Sequence, residues 1–152
     1  MPKNSINLSD LVIERNLGVS QALEVRIVTL KPEVTKKYSI KTSRFALKFV
    51  SKQLVLEECG DLLHCIFNAR EAWREQENPF IVNLLTYFDD HNFFYYIIEL
   101  HSEVDLYSVL TDGKRFTEND SKFCAACVVC ALEHIHSKKI AVRNIKVSYV
   151  VR

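Results

Sequence analysis

The chain has 152 residues, of which 48% are apolar and 26% charged, with a formal net charge of +1. That composition suits one ordinary globular domain with a substantial core and excludes a disordered chain. A net charge so close to zero provides no bulk attraction to nucleic acid or to an anionic membrane.

The first residues, Met1-Pro2-Lys3-Asn4-Ser5, are polar and lack a secretory core, and Pro2 stands where N-myristoylation needs glycine. The longest apolar run, Phe123 to Leu132, is too short to span a bilayer. Five cysteines, an odd number without secretory context, read as reduced thiols, so the chain is expected in the cytoplasm. Glycine occurs only at positions 18, 60 and 113. A G-x-G-x-x-G phosphate loop needs three glycines by itself, so any such loop here is damaged or absent.

In chain order, Leu11 to Gly18 and Leu23 to Leu30 read as strands around a turn. Lys31 to Ser43, polar with Pro32 and several lysines, reads as a loop. Arg44 to Val50 has the alternation of a half-buried edge strand. Glu57 to Glu77 reads as a helix with Leu62, Ile66, Ala69 and Trp73 on one apolar face, stopped by Asn78-Pro79. Two further strands, Ile81 to Phe88 and Phe93 to Leu100, flank the turn Asp89-Asp90-His91-Asn92. Val104 to Thr111 is a short helix. Thr117-Glu118-Asn119-Asp120 opens a longer helix that runs to about Ser137. Five strands, one crossing helix and a second helical region predict an α+β fold with a helix on one face of an antiparallel sheet.

Cys124, Cys127 and Cys130 form C-x-x-C-x-x-C. On a continuous helix they fan over about 120°, which converges poorly on a metal, and no fourth ligand lies at a suitable spacing. They are expected to be small buried thiols, with His134 and His136 on different faces at the surface or its boundary.

Several segments in this order resemble the AGC group of serine/threonine protein kinases, most nearly the cGMP-dependent type. They are Leu17-Gly18-Val19, Phe45-Ala46-Leu47-Lys48, Pro79-Phe80-Ile81-Val82, Ile97-Ile98-Glu99 and Phe123-Cys124-Ala125-Ala126-Cys127-Val128-Val129. The last is His136-Ser137-Lys138-Lys139-Ile140 running into Val142-Arg143-Asn144. The resemblance implies a tail over 1–7 and a kinase-like N-lobe over 8–100, with five strands and one crossing helix. A hinge and partial C-lobe would occupy 101–152, truncated before any D-F-G or A-P-E segment.

The resemblance also assigns roles. Gly18, Ser20 and Leu23 take the three loop-glycine positions, a damaged phosphate clamp or simply a hairpin turn. Val25 and Ala46 line the adenine pocket. Lys48 reaches the phosphates, or is a solvated strand lysine. Its usual glutamate partner on the crossing helix is replaced by Ala69, while Glu71 points away. Ile98 is the gatekeeper, and Glu99 and His101 offer backbone contacts to a purine. Asp105 meets the ribose, or serves as a helix-end acid. In the catalytic loop, H-R-D-L-K-x-x-N in the family, Arg143 and Lys146 are retained. Asn144 replaces the base and Tyr149 the metal-binding asparagine. A neutral amide cannot accept the substrate proton, and tyrosine is no substitute for a carbonyl ligand.

The expected function is thus a truncated, catalytically inactive kinase homologue. It would act as a protein-binding module, with ATP bound weakly if at all and no magnesium site. The helix Glu118 to Ser137 would carry a protein partner or self-association, and neither nucleic acid nor membrane is expected to bind. The alternative is a fragment of an active serine/threonine kinase of the cGMP-dependent type.

Overall fold

The computed structural model of the chain describes residues 6–19, 23–42, 44–59, 73, 78–142 and 145–150. Five strands, β1 (Leu11–Val19), β2 (Leu23–Leu30), β3 (Arg44–Ser51), β4 (Leu84–Asp89) and β5 (Phe93–Glu99), form one antiparallel sheet in the order β1-β2-β3-β5-β4. Among the described residues the α-helices with stated bounds are α1 (Pro32–Tyr38), α2 (Lys52–Cys59), α3 (Leu106–Thr111) and α4 (Glu118–Ser137). The architecture is the expected α+β one. It divides into two compact units, Met1–Gln76 with Asn83–Leu100, and Glu77–Val82 with His101–Arg152.

The first unit is organised by β3. The sequence pattern suggested an edge strand, but β3 is the middle of the sheet, paired with β2 on one side and β5 on the other. Leu47 and Ile97 are register partners and are fully buried. They share a face with Val28, Leu30, Phe45 and Tyr95, and that face is closed by Ile6 and by Val34 of α1. Ile6, assigned to a tail on sequence, is therefore part of the core. The opposite face carries Leu84, Phe94 and Tyr96, packed with Val50, Trp73, Tyr87 and Ile98. One face of β3 is buried and the other half-buried, so its alternation resembles that of an edge strand although both sides are paired.

Three elements differ from expectation. The segment Lys31 to Ser43 is not all loop, since α1 forms within it. Pro32 sits in the first turn beside Glu33, Lys36 and Lys37 occupy the last turn, and Ser39 ends it in the left-handed region at φ 53°. Those are helix signals in sequence, hidden by the polar composition. α2 begins at Lys52, ahead of the expected Glu57, because Ser51 Oγ accepts from Leu54 N and Lys52 Nζ is tied to Asp89 Oδ2 at 2.6 Å. Leu62, Ile66 and Ala69, expected on the same helix, lie outside the described residues. Trp73 is helical and its ring stacks on Tyr96 at 6.2 Å. β4 starts at Leu84, not Ile81, because Asn78 Oδ1 accepts from Phe80 N at 2.9 Å and holds that stretch in a turn.

The β4–β5 turn is built on one carboxylate. Asp90 Oδ1 accepts from the backbone N–H groups of Asn92 and Phe93, and Oδ2 accepts from the Tyr95 hydroxyl at 2.6 Å. The tyrosine bond, aided by the two backbone bonds, holds the Asp90 carboxyl below its ordinary value.

In the second unit, α4 has the expected span. Thr117 Oγ1 accepts from Asp120 N, and the Asp120 carboxylate accepts from Thr117 N, a reciprocal capping box. No residue of α4 is buried, and Phe123 and Val129 are 72% and 61% exposed. The buried thiols expected from sequence are a correction, since Cys124 and Cys127 are half-buried and Cys130 is exposed. His134 is half-buried and His136 exposed. Among the described residues, no helix is long and apolar enough to cross a membrane.

Leu47→Ala removes the side chain at the centre of the sheet, so it should lower unfolding free energy by about 2–5 kcal/mol. Urea denaturation checks this, and a loss below about 1 kcal/mol would mean that β3 does not organise the core.

Candidate functional site

Antiparallel pairing brings four of the sequence-predicted residues to one sheet face. Gly18 pairs with Val25, Val25 with Lys48, and Ala46 with Ile98. Because side chains alternate along a strand, Ala46 and Lys48 point the same way, and with them Val25 and Ile98. Val25, Ala46, Lys48 and Ile98 are each half-buried. The surface they make is a flat apolar patch with one amine at its end.

Lys48 is the electrostatic feature of this face. Its register partners are Val25 and Tyr96, the latter buried beneath Trp73. Burial pushes the ammonium below its ordinary lysine value. Among the described residues no carboxylate pairs with Lys48. Desolvation of a lysine destabilises its charged form.

Glu99 closes the first unit's strand region. Its N–H donates to Asn83 O at 2.9 Å, and its carboxylate accepts from Asn83 Nδ2 at 2.8 Å. The amide is therefore already committed. The remaining predicted positions belong to the second unit. His101 is exposed. Asp105 caps α3, with Oδ1 accepting from Ser108 N at 2.7 Å and from Ser108 Oγ at 2.8 Å. The structure thus gives Asp105 the helix-end role that the sequence left open beside the ribose role. Lys146 is exposed and precedes a 3-10 turn, Val147–Tyr149. Arg143, Asn144, Ser20, Ala69 and Glu71 lie outside the described residues, and for Leu23 and Tyr149 only the backbone is described.

Residues 32–151 match the family model described as the protein kinase domain. The chain belongs to the protein kinase domain family. Its sequence is 29% identical over 146 residues to a cGMP-dependent protein kinase of Plasmodium berghei, covering 96% of this chain and 16% of that protein. It is 30% identical over 141 residues to cGMP-dependent protein kinase, isozyme 2 forms cD5/T2, of Drosophila melanogaster, covering 93% and 14%. With human cGMP-dependent protein kinase 2 the identity is 29% over 143 residues, covering 94% and 18%. The chain therefore spans under a fifth of the length of these relatives.

For a kinase-domain sheet, the residues that sequence reasoning missed are the aromatic neighbours of the lysine. Tyr96 lies across from Lys48, and Trp73 stacks on Tyr96. The alternation of Phe94, Tyr96 and Ile98 was the available signal, since these share the face of Lys48 once β5 is placed beside β3.

The shifted lysine has a stability consequence. Between its lowered folded value and the ordinary 10.5, the unfolded chain holds a proton that the folded chain lacks, so stability rises with pH there. Tyr95 acts oppositely at higher pH. Its phenol is pushed up to about 12 by burial and then by Asp90, so stability falls above the ordinary 10.0. Lys48→Met should therefore raise stability at neutral pH and flatten the rise toward about pH 9.5. Urea titrations of both proteins across that range test it, and an unchanged slope would show that Lys48 stays charged.

Asp105→Ala should cost about 1 kcal/mol of stability through loss of the α3 cap. The chevron midpoint of the second unit's far-ultraviolet signal, unchanged within error, would contradict this capping role.

Proposed function

We propose that this kinase-domain chain is a protein-binding module that encloses a purine weakly and does not transfer phosphate. The observation that carries the reading is Lys48 on an apolar sheet face with no carboxylate partner among the described residues. Phosphoryl transfer depends on positioning and on charge around the phosphates, which a lysine paired to a helix glutamate helps to assemble. Ala69 in the sequence is consistent with loss of that pair, and Asn144 and Tyr149 with loss of base and metal ligand. Loss of a general base alone is worth about 10²–10⁴ in rate.

The residues present suit part of a nucleotide. Val25, Ala46 and Ile98 form an apolar plane that fits a purine ring, and Lys48 is an anion partner at its end. ATP, when bound, supplies the purine and the phosphates to these groups. Magnesium does not fit the donor set, because a phenol, Tyr149, stands where the family has its metal-binding asparagine. One observation favours the alternative, a segment of an active serine/threonine kinase. The named relatives are several times longer, and Arg143, Lys48 and Lys146 are all retained.

The test has two parts. Purified protein with magnesium and ATP should leave protein substrates unphosphorylated, and transfer abolished by Lys48→Ala would establish the alternative. A thermal shift with ATP should be small and equal with or without magnesium. A ligand at 100 times its dissociation constant stabilises by about 2.7 kcal/mol, so binding is readily seen. A shift that requires magnesium would overturn the metal-independent reading.

A further inference from the structure

Two hydroxyl side chains in the sequence have cations both two and three positions ahead of them. Ser39 follows Lys36 and Lys37, and Thr117 follows Lys114 and Arg115. Such a pair of cations complements a peptide groove lined by carboxylates. The fold treats the two hydroxyls differently. Thr117 Oγ1 donates to Asp120 Oδ2 at 2.7 Å and accepts from Asp120 N at 3.1 Å, so it is held in the capping box of α4 against a carboxylate. Ser39 is exposed, and among the described residues its hydroxyl forms no hydrogen bond. Lys36 and Lys37 are exposed beside it, and Lys37 Nζ rests over the Tyr38 ring at 5.0 Å, a contact that an exposed side chain exchanges readily.

We infer that Ser39 is a phosphorylation site for a separate basophilic serine/threonine kinase, one that selects basic residues ahead of the hydroxyl. Ser39 Oγ attacks the γ-phosphorus of ATP held by that enzyme. The Oγ–P bond forms, the bond from the γ-phosphorus to the bridging oxygen breaks, ADP leaves, and the hydroxyl proton passes to the enzyme's carboxylate base. Backbone geometry favours access. Ser39 ends the seven-residue α1 in the left-handed region at φ 53°, which side chains other than glycine adopt at a cost. A helix so short is not self-sustaining, and its last turn can open locally. Opening gives up the bonds from Ser39 N to Lys36 O at 3.3 Å and from Ile40 N to Thr35 O at 3.0 Å. Tyr38 and Ile40 are only half-buried, while buried Val34 anchors the earlier part of α1. A phosphate of about −2 at this helix end opposes the macrodipole, and Lys36, Lys37 and Lys41 offset that repulsion. α1 covers the Leu47 face, opposite Val25, Ala46 and Lys48, so the modification is independent of what that face binds.

The intact chain is incubated with labelled ATP, magnesium and a purified basophilic kinase, and the modified positions are read by mass spectrometry. Ser39 should carry the phosphate. Replacing both cations, Lys36→Gln with Lys37→Gln, should slow labelling about tenfold or more, and a kinase that prefers acidic surroundings should be slower by a similar factor. Ser39→Gly removes the hydroxyl and suits a positive φ, so it should keep the parent circular dichroism and lose the label. Label that persists in Ser39→Gly, or that falls mainly on Thr117, overturns the inference. So does unchanged labelling when both lysines are replaced, or label on Ser39 without added kinase. A synthetic peptide of residues 31–44 is the control for access. Label on the peptide but not on the intact chain would show that the folded turn withholds the hydroxyl, which overturns it equally.

Discussion

Everything in the first unit depends on the pairing of β3 with both β2 and β5. That arrangement buries Leu47 and Ile97 at the centre of one face and leaves Ala46 and Lys48 on the other. Shifting the register by one residue would turn Lys48 into the Leu47 core, where an uncompensated ammonium is far more costly than at its present half-buried position. The apolar pattern thus protects the register. It also fixes the candidate site, since the face presented by Val25, Ala46, Lys48 and Ile98 follows from the same hydrogen-bond ladder.

The two units meet different physical demands. In the first, both sides of the sheet are covered, by Ile6 and α1 on one face and by Trp73 with the β4–β5 aromatics on the other. In the second, α4 is well capped yet has no buried residue. Local signals suffice to form such a helix, because a capping box and apolar spacing act within a few turns. They do not by themselves supply a partner for its apolar side.

Lys48 connects fold and chemistry. A strand lysine with a carboxylate partner is held charged, whereas burial without one lowers its proton affinity. The same side chain is then a mild liability for the fold. Asp105 is the converse case. Its Oδ1 accepts from the backbone and hydroxyl of Ser108 and so caps α3.

The sequence by itself determined the number and order of strands, the span of α4 and the family, because alternation, capping residues and motif spacing are local or directly comparable properties. It also placed Gly18, Val25, Ala46, Lys48 and Ile98 correctly on strands. It did not reveal α1, whose helix signals from Pro32 to Lys37 are embedded in a polar stretch, nor the start of α2 at Lys52, which a bond to Asp89 across the sheet helps to define. Tertiary structure alone decided that β3 is central and that Tyr96 faces Lys48. Each of these follows from which strand or helix lies alongside. Neighbours distant in sequence are chosen by how the whole chain buries its apolar surface, and no local pattern contains that choice.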